Sequence, residues 1–179
     1  MFSGTSSVST GGLIASTLDI EGPNEAARNA TFMSDGKSLS FGGGLNDANS
    51  TARVMVETNA SIEVGSNGTV GLIGALVRNE GQISVAQGSV GLVSGSRVVL
   101  DFEGDGLTKF SVPGGMMNIS VADVQATEVS GDSEATALNA STTAQVMNAG
   151  SISGDGSRIV LMGASGLVQQ VVNQSGTVR

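Results

Sequence analysis

The chain has 179 residues, a formal net charge of −8, and neither cysteine nor histidine. This composition argues against a nucleic-acid partner and removes the usual transition-metal ligands and nucleophile–base pairs. The longest apolar run, from Val70 to Val77, is interrupted by Gly71 and Gly74 and is too short to span a membrane. The length of the chain and its even composition predict a single domain over residues 1–179 with an aliphatic core.

The first predicted elements lie within residues 6–20. Val8 and the apolar residues from Leu13 to Ile20 flank Gly11 and Gly12, which predicts two short strands joined at a glycine corner. The run Asn24–Ala27 that follows predicts one helical turn at most, within a loop.

A hairpin signal comes next. Thr31–Met33 and Ser38–Phe41 flank the dipeptide Asp35-Gly36, and Asp-Gly between two apolar stretches is a strong signal for a tight turn between antiparallel strands. The sequence therefore predicts a β-hairpin over about residues 30–41. Because a hairpin does not fit the repeat described next, we expect it to pack on the outside of the repeating part.

The stretch Asn59–Phe102 repeats itself after 20 or 21 residues. The aligned residues are Ile62 with Ile83, Val64 with Val85, Val70 with Val90, and Leu72 with Leu92. Apolar and polar residues alternate within each copy, as in a strand with one buried face, and Gly and Asn mark the corners. Such a period is typical of solenoids, whose copies bury their apolar faces on one another. The sequence therefore predicts an all-β fold, a parallel β-helix with about 20 residues per coil.

The end of the chain returns to the same repeat. Val98, Leu100 and Phe102 continue the alternation, and an irregular segment follows over about residues 113–147. The later matches are Asn148–Ser153 with Asn79–Ser84, Ile159 and Leu161 with Val90 and Leu92, and a further copy that starts at Asn173 and runs to Val178.

With these motifs, the chain resembles the filamentous haemagglutinin family of bacterial exoproteins, which use two-partner secretion. The resemblance is strongest in Gly11–Ile20, Ala60–Ala75 and Asn79–Phe102, and weak between about residues 114 and 145. It implies a right-handed parallel β-helix and export through a dedicated outer-membrane partner. It also implies delivery to the cell surface and a role in adhesion or in carrying a distal toxin. Because histidine and cysteine are missing, we expect this secreted or cell-surface protein to have no enzymatic activity.

In that family the secretion domain opens with further strands and an Asn-Pro-Asn motif before the part that matches Phe2–Gly4. Nothing precedes Met1 in this sequence. We therefore expect a fragment of a longer exoprotein, and we expect the isolated chain to associate through uncapped ends.

Two other functions stay open at this point. Asp101 near Arg97 would suit a β-helix enzyme that cleaves polysaccharides, and the same β-helix could be the stalk of a contact-dependent inhibition toxin. Asp101, Glu103 and Asp105 alternate around a glycine turn and could offer oxygens to calcium, but we interpret them as a solvated corner. We predict no catalytic residue, no cofactor and no metal site.

Asparagines occupy repeated positions. We interpret Asn79, Asn148 and Asn173 as corner residues whose side chains stack and bond along the axis, in preference to a binding ladder. Triplets of the form Asn-x-Ser/Thr begin at Asn29, Asn49, Asn59, Asn67, Asn118, Asn139 and Asn173. In a chain rich in Ser and Thr, we interpret these triplets as chance matches.

Overall fold

The structure is a computed structural model that describes residues 1–33, 37–42, 53–102, 108–113, 144–163, 170–174 and 176–179. The predicted turn at Asp35-Gly36 and most of the irregular segment lie outside these residues. The strands are β1 (Ser7–Thr10), β2 (Leu13–Ser16), β3 (Ser38–Gly42), β4 (Arg53–Val56), β5 (Ser61–Val64), β6 (Thr69–Gly74), β7 (Leu76–Asn79), β8 (Gln82–Val85), β9 (Ser89–Ser94), β10 (Arg97–Asp101), β11 (Lys109–Ser111), β12 (Ala144–Asn148), β13 (Ser151–Ser153), β14 (Arg158–Gly163), β15 (Gln170–Gln174) and β16 (Thr177–Val178). The described residues contain one helix, α1 (Glu25–Met33). The prediction of an all-β chain is confirmed at this level.

Most strands belong to three parallel sheets. Sheet A has the order β15-β12-β7-β4, sheet B the order β1-β5-β8-β13-β16, and sheet C the order β14-β9-β6-β2. The chain visits the sheets in the same sequence each time, as in β4, β5 and β6 and then β7, β8 and β9. Among the described strands, three passes therefore add one strand to each parallel sheet, whereas β1 and β2 join only sheets B and C, and β15 and β16 join only sheets A and B.

The strand register follows the sequence repeat residue by residue. Ile62 pairs with Ile83 and Val64 with Val85 in sheet B, and in sheet C Val70 pairs with Val90 and Leu72 with Leu92. The later copy also has the predicted alignment, with Ile152 beside Ile83, Ile159 beside Val90, and Leu161 beside Leu92.

One core lies between the three parallel sheets. In β5 and β8 every second residue is buried, and Ile62 and Ile83 are both 1% exposed. Aliphatic residues from all three sheets, including Val77, Val146, Leu72 and Leu92, join the same cluster. Because successive strand side chains point to opposite faces, the residues between them form the outer surface.

A second core lies on the outward face of sheet C, under a three-stranded antiparallel sheet D of order β11-β10-β3. Its apolar residues pack on Ile73 and Val93 of sheet C, which are both fully buried. Gly91 leaves room for the ring of Phe110, since a Cβ at Gly91 would lie 2.4 Å from that ring. The predicted alternation is confirmed for Val98 and Leu100, which are both 0% exposed. Their assignment to the parallel repeat is wrong, because β10 pairs antiparallel with β3, and Phe102 is 39% exposed.

The hairpin predicted over about residues 30–41 is also wrong. Thr31–Met33 belong to α1, and β3 pairs with the distant β10. The physical reason is helix capping: Asn24 Oδ1 accepts a hydrogen bond from the Ala27 backbone N–H at 2.9 Å, and Glu25 lies in the first turn. The helix is therefore longer than the single turn that Asn24–Ala27 predicts.

Candidate functional site

Asn79 and Asn148 form a polar pair inside the main core. The two residues are partners in β7 and β12, both are 0% exposed, and Asn79 Nδ2 donates a hydrogen bond to Asn148 Oδ1 at 2.7 Å. On its other side Asn79 neighbours Val56, and Asn79 Oδ1 has no partner among the described residues. The prediction of stacked amides is confirmed for this pair, which lies in the interior and not on a binding surface.

The placement of Asn173 in the same row is wrong. Asn173 pairs with Met147, and Gln174 pairs with Asn148. The register therefore differs by one residue from the one in which Asn173 would continue the Asn79–Asn148 row. Thr177 and Val178 pair with Ser151 and Ile152, so a further copy of the repeat is present, one residue out of the alignment that begins at Asn173.

We expect Asn148→Val to lower the free energy of unfolding by about 2 kcal/mol, because it leaves the buried Asn79 amide without its partner. Asn79→Val combined with Asn148→Val should be more stable than Asn148→Val alone, since both polar groups are then gone. Urea denaturation gives the free energies by linear extrapolation. A double variant as unstable as the sum of two single variants would contradict a bonded pair.

Asp101 and Arg97 lie at opposite ends of β10. Arg97 Nε and Nη2 donate to Glu21 Oε2 at 3.1 and 2.8 Å, whereas Asp101 faces Lys109 in β11 and Ser38 in β3. Four residues of strand separate their Cα atoms by about 13 Å. The structure therefore does not bring together the pair that a polysaccharide-cleaving enzyme would use.

The predicted acidic turn is described only in part. Glu103 and Asp105 lie outside the described residues, and no group of three acidic residues close enough to share a metal ion occurs within them. Within the same ranges, no helix is long and apolar enough to cross a membrane.

Three Asn-x-Ser/Thr triplets start at exposed residues, Asn29 on α1 and Asn59 and Asn67 at corners. Asn59 and Asn67 have positive φ angles of 70° and 63°, which asparagine tolerates better than most residues. Corner geometry is therefore a sufficient reason for asparagine at these two positions. Asn49, Asn118 and Asn139 lie outside the described residues.

The outward side of sheet B carries a regular set of small polar side chains, which we call the hydroxyl face. Its members are Ser7, Ser9, Ser61, Glu63, Gln82, Ser84, Ser151, Ser153 and Thr177. Ser61 Oγ donates to Ser7 Oγ at 3.1 Å, so hydroxyls of adjacent strands are in contact. The sequence pattern alone indicates no function for these residues. The alternation that predicts burial of Ile62 and Ile83 nevertheless also predicts that their neighbours point outward.

Comparisons with family models, curated proteins and solved structures give no match to this chain. The candidate site therefore rests on the arrangement of its own residues.

Proposed function

We propose that the chain is part of a non-enzymatic exoprotein of the filamentous haemagglutinin type. The three parallel sheets are the walls of a right-handed parallel β-helix, and each pass through them is one coil. An outer-membrane partner of the two-partner type exports the protein, and the β-helix forms a shaft that presents binding surfaces outside the cell.

The observation that carries the proposal is the register of the parallel sheets. Val8, Ile62, Ile83, Ile152 and Val178 occupy one continuous row across sheet B. A shaft needs such a row, because each coil buries its apolar face only against the coils above and below it. Ile62 and Ile83 of this row lie in the segments Ala60–Ala75 and Asn79–Phe102, and these two segments carry part of the resemblance to the exoprotein family.

The glycine corners give further support. A Cβ at Gly81 would lie 2.4 Å from the Ala60 carbonyl oxygen, and one at Gly150 would lie 2.1 Å from the Gly81 carbonyl oxygen. Backbone segments of successive passes thus lie directly on one another at this corner. Tight stacking of this kind favours a narrow shaft over an enclosed catalytic cavity.

The test is surface exposure in the bacterium that makes the protein. Antibodies raised against residues 53–102 should label intact cells, and inactivation of the outer-membrane transporter gene should reduce the label to background while the antigen stays in the periplasm. An unrelated outer-membrane protein, labelled in parallel, should be unaffected. The proposal would be overturned if the antibodies still label intact cells that lack the transporter. It would also be overturned if cells with the transporter keep the antigen in the cytosol.

A further inference from the structure

The dipeptide Asn67-Gly68, at the corner between β5 and β6, can modify its own main chain. No other asparagine of the chain is followed by glycine. The backbone nitrogen of the residue after an asparagine can attack the side-chain amide carbon and close a five-membered succinimide ring. Glycine favours this attack because it has no Cβ to crowd the approach and because its backbone rotates most freely. The corner therefore contains both reactants of a spontaneous deamidation.

The atoms of this reaction balance with water as the only co-reactant. The Gly68 nitrogen loses its proton to water and bonds to Asn67 Cγ, while the bond from Cγ to the amide nitrogen breaks and ammonia leaves. Water then opens the ring at one of its two carbonyl carbons, which gives aspartate or isoaspartate. Both products carry a new negative charge. In isoaspartate the main chain also runs through Cβ and Cγ, so it is longer by one methylene.

The folded corner withholds the attacking nitrogen. Asn67 is exposed, but Gly68 is buried, and its N–H donates a hydrogen bond to the Gly65 carbonyl oxygen at 3.1 Å. This N–H must lose its proton to water before attack, and the succinimide nitrogen carries no hydrogen, so ring closure removes the bond. The adjacent pass holds both residues, since the Asn67 N–H donates to Ala86 O and the Ser89 N–H donates to Gly68 O, each at 3.0 Å. Folding therefore opposes the reaction.

The isoaspartate product does not fit this corner. A Cβ at Gly68 would lie 2.3 Å from Val64 Cγ1 and 2.4 Å from the Gly11 carbonyl oxygen, so the main chain here has no spare room. A further methylene before Gly68 would displace its carbonyl oxygen from the Ser89 N–H. Because β6 begins at Thr69, the displacement falls at the start of a central strand of sheet C. A modified chain is therefore a poor substrate for folding.

We propose that Asn67-Gly68 is a deamidation site that is protected in the folded chain and reactive in the unfolded chain. A chain that stays unfolded for long acquires isoaspartate at this corner and then fails to stack its passes. The reaction thus sets a time limit on folding. The inference does not depend on the function proposed above, because it requires only the corner and water.

Asn59-Ala60 is a matched comparison within the same molecule. Asn59 is exposed with a φ of 70°, and Asn67 is exposed with a φ of 63°. Ala60 is 1% exposed, and its N–H donates to the Glu57 carbonyl oxygen at 3.0 Å, as the Gly68 N–H does to Gly65. The methyl group of Ala60 hinders attack on Asn59 Cγ. Asn59 therefore tests whether the dipeptide, and not the corner alone, sets the rate.

The experiment incubates the purified chain in mildly alkaline buffer, with and without enough guanidinium chloride to unfold it. Trypsin then releases the peptide Val54–Arg78, which contains both Asn59 and Asn67, and mass spectrometry with electron-transfer fragmentation locates isoaspartate. Modification at Asn67 should be at least about tenfold slower in native buffer, because it has to wait for the corner to open. In denaturant Asn59 should react at least about tenfold more slowly than Asn67.

Refolding by dilution tests the consequence of the modification. The fraction that refolds, separated by size-exclusion chromatography, should contain at least about tenfold less isoaspartate at position 67 than the fraction that does not. Asn67→Gly removes the amide and keeps a residue that accepts positive φ, so its refolding yield should fall more slowly with time in denaturant than that of the parent. Asn59→Gly makes the same change at the comparison corner and should lose yield like the parent.

Three results would overturn the proposal. They are equal rates at Asn67 with and without denaturant, reaction at Asn59 as fast as at Asn67 in denaturant, and refolding of modified chains as complete as that of unmodified ones. The rate measurements use the unaltered chain, so they decide the first two points whether or not the glycine variants fold.

Discussion

An Ile83→Asp variant should lose at least about 4 kcal/mol of folding free energy, a large fraction of the roughly 5–15 kcal/mol that stabilises an ordinary domain. Ile83 is 1% exposed and lies between Ile62 and Ile152 in the inward row of sheet B. Its neighbours in this row are aliphatic, so a carboxylate there would be buried without a cation. The variant should show a much lower thermal midpoint by circular dichroism.

Gln82→Asp is the matched control, since it introduces the same side chain one residue earlier. Gln82 is exposed on the outward side of the same strand, so its replacement should change the free energy of unfolding by no more than about 0.5 kcal/mol. Similar losses of stability in the two variants would show that the assignment of inward and outward faces in β8 is wrong.

Gly150→Ala should have the second largest effect, a loss of about 3 kcal/mol from one added methyl group. The new Cβ would lie 2.1 Å from the Gly81 carbonyl oxygen and 2.6 Å from the Glu80 carbonyl carbon. Both atoms belong to backbone that is itself held in the adjacent pass, because the Ser151 N–H donates to Gly81 O at 2.8 Å. Relief of the clash would therefore have to separate the two passes.

Gly65→Ala makes the same change at another corner where a Cβ would have no atom within 4 Å. It should change the free energy of unfolding by no more than about 0.5 kcal/mol, because the added methyl group meets no atom and only makes the unfolded chain slightly less flexible. Denaturant titration of the two variants side by side measures the difference. If Gly150→Ala is as stable as Gly65→Ala, the passes do not approach each other as closely at this corner as the structure has them.

Local pattern predicted the strands of the repeat well and the segments around them poorly. Ile62 and Ile83 were aligned because identical residues recur at a fixed interval, and parallel pairing turns that interval directly into register. The hairpin predicted over about residues 30–41 is wrong because the Asp-Gly signal reflects only the preferences of residues adjacent in sequence. The cap from Asn24 and the pairing of β3 with β10 were stronger than that local preference.

The hydroxyl face could also be predicted only in part from the sequence. Alternation alone implies that Ser61 and Ser84 point outward once Ile62 and Ile83 are known to be buried. It does not tell which outward surface is left open, because that depends on where sheet D packs. Arg97 and Asp101 are the opposite case: close in sequence, they are held about 13 Å apart by an extended strand, and Arg97 instead pairs with the remote Glu21.

By itself, the sequence determined the alternation, the period of about 20 residues and the glycine corners, because each depends on side-chain size and backbone freedom within a few residues. The tertiary structure alone decided that β3 joins β10 and β11 over sheet C, burying Ile73 and Val93. It also decided that Gln174, and not Asn173, faces Asn148. The physical reason is that burial and hydrogen bonding between segments up to about sixty residues apart decide between arrangements that local preferences leave nearly equal in free energy.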